Sequence, residues 1–214
     1  MATSRGPALG LWLVGIAIAA GGCGTSGNAA RTSTAAVAST RSAEDTASAD
    51  AAPSAHSFAW LHPARVPKGW QSVRLVGGAT LAYPRGWSAM RGDRGTATAG
   101  LLDGHRRYEG YLNLTPRQGA ETQANWRSFR VRHNAEEGER AVTLQASAAG
   151  LGFRVGRGAC VRDAYTTATS TRYVEIACLV RGAHASSVIV GAAPSSDWQT
   201  QAPVIERAIS AFAA

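Results

Sequence analysis

The side chains able to ligate a metal, attack a carbonyl or carry a proton are few in this chain: 3 cysteines, 5 histidines and 14 acids among 214 residues. Cys160 and Cys178 are the most informative of them, an even pair in what reads as one exported domain. If Ala159–Thr166 and Arg172–Val180 pair as an antiparallel hairpin centred on Thr169, Cys160 and Cys178 stand opposite each other. Directly opposed strand residues have Cα atoms ~4.5–5.5 Å apart, a span that a disulfide bridges. A bond there closes a loop of about 18 residues and contributes roughly 3 kcal/mol in the chain-entropy picture. Two sulfurs with no neighbouring histidine do not make a metal site, and the wide spacing differs from a redox-active Cys-x-x-Cys.

The same register sets Asp163 opposite Glu175 and Tyr165 opposite Tyr173, on the face away from the cysteines. Facing carboxylates repel, and one holds its proton unless a cation intervenes. Such a cluster has two readings. It is a general acid/base pair or weak ion site, or it is a structural couple neutralised by Arg154, Arg157 or another arginine, which is the favoured reading. Other chemistry has little support. The histidines (His56, His62, His105, His133, His184) are scattered, and no Gly-x-Ser-x-Gly elbow surrounds a serine. Gly156-Arg157-Gly158 lacks the Lys-Ser/Thr of a phosphate loop, and no HExxH or EF-hand loop occurs. The expectation is a protein without catalytic residues, metal or cofactor.

Elements able to hold these residues can be read from pattern. Ser72–Val76 and Ala79–Tyr83 flank Gly77-Gly78 as a hairpin, and Thr96–Leu102 and Arg107–Leu114 flank Asp103-Gly104 as another. Ala120–His133 reads as a helix with Trp126 and Phe129 on one face. Val142–Ala148, Gly152–Val155, Ala159–Thr166, Arg172–Val180 and Ser187–Ala193 read as strands. After the capping stretch Ser195-Ser196-Asp197 comes a helix with Pro203 near its start and a stripe of Val204, Ile205, Ala208, Ile209 and Phe212. Strands, helix, strands, helix is the order of an α+β domain, an antiparallel sheet flanked by helices, placed at 57–214. Pro67-Lys68-Gly69-Trp70 and Pro84-Arg85-Gly86-Trp87 repeat a Pro-basic-Gly-Trp pattern, read as turn chemistry and not as duplication.

The beginning of the chain carries an address. Arg5 is the only charge before residue 23, Ala8–Ala20 is apolar, and small residues follow, the pattern of a secretory signal over 1–22. Ala20-Gly21-Gly22-Cys23 resembles the bacterial lipobox, with alanine where leucine is usual, and implies that Cys23 is lipidated and becomes the mature N-terminus. Cleavage near Ala20 by ordinary signal processing is the alternative. Residues 23–56 form an expected tether, since 24 of the 33 residues after Cys23 are Ala, Ser, Thr or Gly. Such a segment buries too little surface to offset its ordering entropy, and as a coil it reaches roughly 30 Å. The formal charge is +8, carried almost entirely by arginines spaced singly, which argues for a solvated surface and against a nucleic-acid partner.

Tyr83-Pro84-Arg85-Gly86-Trp87 after a strand, a mid-chain helix and the terminal Ala208-Ile209-Ser210-Ala211-Phe212 together resemble the PsbP-like fold and secreted actinobacterial lipoproteins of the LpqN type. The resemblance spans about residues 70–212 and implies binding or assembly without catalysis. The expectation for function is a monomeric lipoprotein on the outer face of the cytoplasmic membrane that engages an envelope protein or polymer. The alternatives are a small-ligand or lipid carrier with a pocket between sheet and helices lined by Trp126, Tyr165 and Tyr173, and a hydrolase built on Asp163 and Glu175.

Overall fold

A computed structural model of the chain describes residues 55–214. The signal segment 1–22, Cys23 and nearly all of the 23–56 tether lie outside the described residues. After a 3-10 turn at Ala55–Phe58, the chain forms a small hairpin of β1 (Gln71–Arg74) and β2 (Thr80–Tyr83) about Gly77-Gly78, as expected. The main sheet comprises β3 (Ser88–Met90), β4 (Ala97–Leu102), β5 (Tyr108–Pro116), β6 (Arg140–Gly152), β7 (Arg157–Thr166), β8 (Arg172–Arg181) and β9 (Ser186–Pro194). Helix α1 (Trp126–Glu136) lies between β5 and β6, and α2 (Trp198–Ser210) ends the fold.

All seven strands pair antiparallel in the order β3-β4-β5-β9-β8-β7-β6. The chain climbs three strands, leaves the sheet centre through α1, enters again at the far edge as β6 and returns until β9 pairs with β5. Strand alternation gives the sheet two faces. On one, Ile176, Cys178, Ile189 and Leu112 meet Ile205, Ala208, Ile209 and Phe212 of α2 in a core that also takes in Leu81 and Tyr83 of the small hairpin. On the other, Val161, Ala177, Leu179 and Val190 meet Trp126 and Phe129 of α1. The structure is the α+β sheet flanked by helices that the element order implied.

Several boundaries differ from the sequence reading, and the largest differences have local reasons. The strand expected at Gly152–Val155 does not form: β6 runs unbroken to Gly152, and Phe153–Gly156 is a turn closed by a 3.2 Å bond from the Phe153 amide to the Gly156 carbonyl. Gly156 has φ +84°, and a Cβ there would run into the Arg181 carbonyl, so glycine is required. Helix α1 starts at Trp126 and not at Ala120, because side chains capture the preceding backbone. Glu121 accepts the Gln118 and Gly119 amides at 2.8 Å each, and Asn125 accepts the Thr122 amide at 2.6 Å. β3, three residues without a β-branched side chain, gave no sequence signal. At α2, Asp197 is the N-cap by position, yet its carbonyl and not its side chain takes the Thr200 and Gln201 amides at 3.0 Å.

The β7–β8 register is the one expected: Cys160 pairs with Cys178, Asp163 with Glu175 and Tyr165 with Tyr173. Cys160 and Cys178 are bonded across the two strands, with Cα atoms 4.1 Å apart, and both are buried in the α2-side core. Replacing both with alanine is expected to cost about 3 kcal/mol, a fall in Tm of about 6–12 °C for a domain of this size. Differential scanning calorimetry of the double variant measures it. Thiol alkylation of the native protein is expected to label neither residue until denaturant and reductant are both present.

Candidate functional site: a sealed polar network beneath an open groove

Residues 126, 130 and 134 recur at helical spacing, so Trp126, Arg130 and Asn134 all point from α1 into the sheet. Trp126 donates its indole N–H to the Ala177 carbonyl of β8 at 2.9 Å and stacks on Phe129, which stacks in turn on His133. One turn on, Arg130 clamps Glu175 with two bonds, Nε to Oε1 at 2.6 Å and Nη2 to Oε2 at 2.8 Å. One further turn on, Asn134 donates to Asp163 Oδ2 at 3.2 Å. Asp163 and Glu175 are both 0% exposed.

The arginine that neutralises the acidic couple is therefore Arg130. Arg154 and Arg157 are committed elsewhere, to the Ala211 carbonyl at 3.5 Å and the Gly150 carbonyl at 2.5 Å. Arg130 and Asn134 escaped the sequence reading because polar residues on a helix suggest its solvent side. Their i, i+4, i+8 spacing with Trp126 was the signal that placed them inside.

The tyrosines extend the network. Tyr165 donates to Glu175 Oε2 at 3.4 Å, and its hydroxyl meets that of Tyr111, a residue of β5, at 3.2 Å. Tyr165 and Tyr173 stack with centroids 6.1 Å apart. Burial pushes the Tyr165 and Tyr111 hydroxyls well above the ordinary phenol range, and the nearby Glu175 charge adds to it. Burial opposes the charge on Arg130, but the Glu175 carboxylate more than offsets this and holds the guanidinium firmly protonated. Asp163 is the odd member. Burial and then the facing Glu175 push its carboxyl up to about 8, against the pull of Arg130, so it carries its proton at neutral pH. Its Oδ1 is buried and makes no hydrogen bond.

Above this network the sheet surface is open. A groove of about 580 Å³ runs beside α1, floored by Thr98, Asn113 and Thr115 and walled by Trp126 and Phe129. Asn113 donates to the Thr98 hydroxyl at 2.8 Å across β4 and β5, which keeps the floor polar and ordered. Tyr111 and Arg130 border the groove. The carrier pocket expected from Trp126, Tyr165 and Tyr173 is corrected by this geometry: Trp126 lines the groove, whereas Tyr165 and Tyr173 do not. The arrangement expected of a hydrolase is corrected too, since Asp163 and Glu175 lie sealed under α1 and not in an open cleft.

Two outcomes follow from the network. Arg130→Met leaves Glu175 buried without its counter-charge and is expected to cost about 3–5 kcal/mol, whereas Arg130→Met with Glu175→Leu recovers most of the loss. Chemical denaturation of the two variants distinguishes an ion pair that must be kept whole from one that adds net stability. For Asp163 the folded-state pKa lies above that of the unfolded chain, so folding takes up a proton between about pH 4 and pH 8. Stability is retained at the low end of that window and lost as pH rises through it. Asp163→Asn removes the titration; its Tm is expected to exceed the wild-type value at pH 8–9 by several degrees, with the gap closing towards pH 5.

No family model matches the sequence, and no curated protein matches it. Solved structures do match by shape. Cyanobacterial PsbP (CyanoP) from Synechocystis is 12% identical, with a TM-score of 0.50 over 68% of this chain and 92% of that one. A protein of unknown function, PA94 from Pseudomonas aeruginosa, is 14% identical, with a TM-score of 0.44 over 66% of this chain and 94% of that one. LpqN of Mycobacterium tuberculosis, described as involved in cell envelope biogenesis, is 10% identical, with a TM-score of 0.36 over 67% and 89%. At such identities the likeness is one of fold, and the described residues form an α+β domain with the PsbP-like fold.

Proposed function

We propose that this chain is an extracytoplasmic, membrane-anchored binding protein without catalysis, lipidated at Cys23, whose α1-side groove receives a segment of an envelope protein or polymer. The observation that supports the reading is the division of labour on that face. The acidic couple is turned inward, Glu175 paired with Arg130 and Asp163 neutral, while the groove floor above it offers hydroxyls and an amide beside an aromatic wall. Those groups recognise by hydrogen bonding and stacking, and none of them is poised to attack or to transfer a proton. The disulfide fits an oxidising compartment outside the cytoplasm. Among the described residues no helix is long and apolar enough to cross a membrane, so in this reading attachment falls to the Cys23 acyl chains.

Thr115→Arg places a long side chain across the groove from a half-buried floor position. It is expected to abolish capture of the envelope partner from extracts while leaving the Tm within about 2 °C, a shift of ~0.5–1 kcal/mol. Undiminished capture would remove the groove from the function. Cys23→Ala is expected to shift the protein from the membrane fraction to the soluble one, read by cell fractionation.

A further inference from the structure

The opposite side of the molecule carries a second cleft of about 720 Å³, bounded by Trp60, Trp70, Pro84 and the α2 residues Pro203, Val204 and Arg207. Both Pro-basic-Gly-Trp segments meet at its rim. Each is a turn closed by a backbone bond, from the Trp70 amide to the Pro67 carbonyl at 3.1 Å and from the Trp87 amide to the Pro84 carbonyl at 3.0 Å. Gly69 takes φ +84°, the left-handed value its turn requires. The turns are joined by Arg85 Nε donating to the Gly69 carbonyl at 3.1 Å, so Lys68 and Arg85, both exposed, are displayed side by side. Trp87 turns into the core at 4% exposure, whereas Trp60 and Trp70 stay half-open to solvent.

Positive charge predominates here: Lys68 and Arg85 stand on the two turns and Arg207 borders the cleft. Glu206 is the one acid bordering the cleft; burial raises its pKa, against the pull of Arg162. A cationic rim around half-exposed indoles is suited to the headgroup layer of a bilayer, where Trp rings settle and anionic lipids attract Lys and Arg. Position supports the same occupant. The chain enters the domain at Ala55–Phe58, immediately before Trp60, so the cleft lies beside the point at which the preceding residues join the domain.

We infer that this face docks on an anionic lipid bilayer, with Trp60 and Trp70 entering the headgroup layer and Lys68 and Arg85 meeting its phosphates. The inference draws on the α2 side of the sheet and is independent of the groove beside α1, so failure of one reading leaves the other standing.

Hydrogen exchange of the full chain on the millisecond scale, followed at residues 60–70 and 84–87, tests it with two kinds of vesicle. One contains phosphatidylglycerol in phosphatidylcholine, the other phosphatidylcholine alone. A readout confined to the two turns does not register lipid contact made by the N-terminal segment. Protection is expected with the anionic vesicles only. In Lys68→Gln/Arg85→Gln the lipid concentration giving half-protection is expected to rise roughly 30-fold, from ~5-fold per basic side chain. Lys68→Gln alone, at an exposed position, is expected to give the ~5-fold step with an unchanged Tm. Equal protection by both vesicles, no protection by either, or no shift in the variants would overturn the inference. So would protection by soluble polyphosphate with none by anionic vesicles, which would assign the face to an anionic polymer.

Discussion

The pairing of β7 with β8 is the constraint from which the interior follows. Side chains alternate between faces along a strand, so one register decision fixes both faces at once. With Cys160 against Cys178 on the α2 side, Asp163 and Glu175 have no choice but to face each other on the α1 side. A slip of one residue would carry the cysteines into the aromatic layer beneath α1 and the acids into the apolar core of Ile205 and Phe212. The covalent bond on one face therefore holds in place an electrostatic problem on the other.

Helix α1 resolves that problem, which explains why an element with so polar an outer surface docks at all. It enters with Trp126, whose ring supplies apolar area and whose N–H finds a β8 carbonyl, and one turn later it delivers a guanidinium to Glu175. Two charges removed from water are tolerated because their hydrogen bonds are bidentate and Tyr165 occupies part of the remaining acceptor capacity. Asp163 is left with Asn134 alone and keeps its proton, so the couple carries one negative charge against one positive. Neutrality is reached without exposing either acid.

How much of this was legible in the sequence depended on whether the governing contact was local or long-range. The β7–β8 hairpin was legible because both segments are long and turn residues lie between them, and a pair of cysteines tested the register. The α2 stripe was legible because Ile205, Ala208 and Ile209 repeat at helical spacing, and each is 0% exposed. The start of α1 was misplaced because Glu121 and Asn125, good helix or cap residues on propensity, spend their side chains on turn amides. Arg130 was hidden for another reason: its partner is 45 residues away in sequence, and nothing near it announces a buried acid. The groove was illegible altogether, since Thr98, Asn113 and Thr115 are ordinary strand residues until β9 brings the second half of the sheet against β5.

The far edge of the sheet has a bearing on life at close quarters. β6 is 13 residues long and pairs on one side only, normally an invitation for a neighbouring molecule to add a strand. Its ladder to β7 is interrupted three times, between Arg140 and Thr143, Leu144 and Ala146, and Ala148 and Leu151. Each irregularity turns amides and carbonyls out of the straight row that a templated strand requires. The opposite edge, β3, offers three residues. Copies crowded together thus meet ragged margins on both sides, and zippering into a continuous ribbon is discouraged by geometry without any need for a covering element.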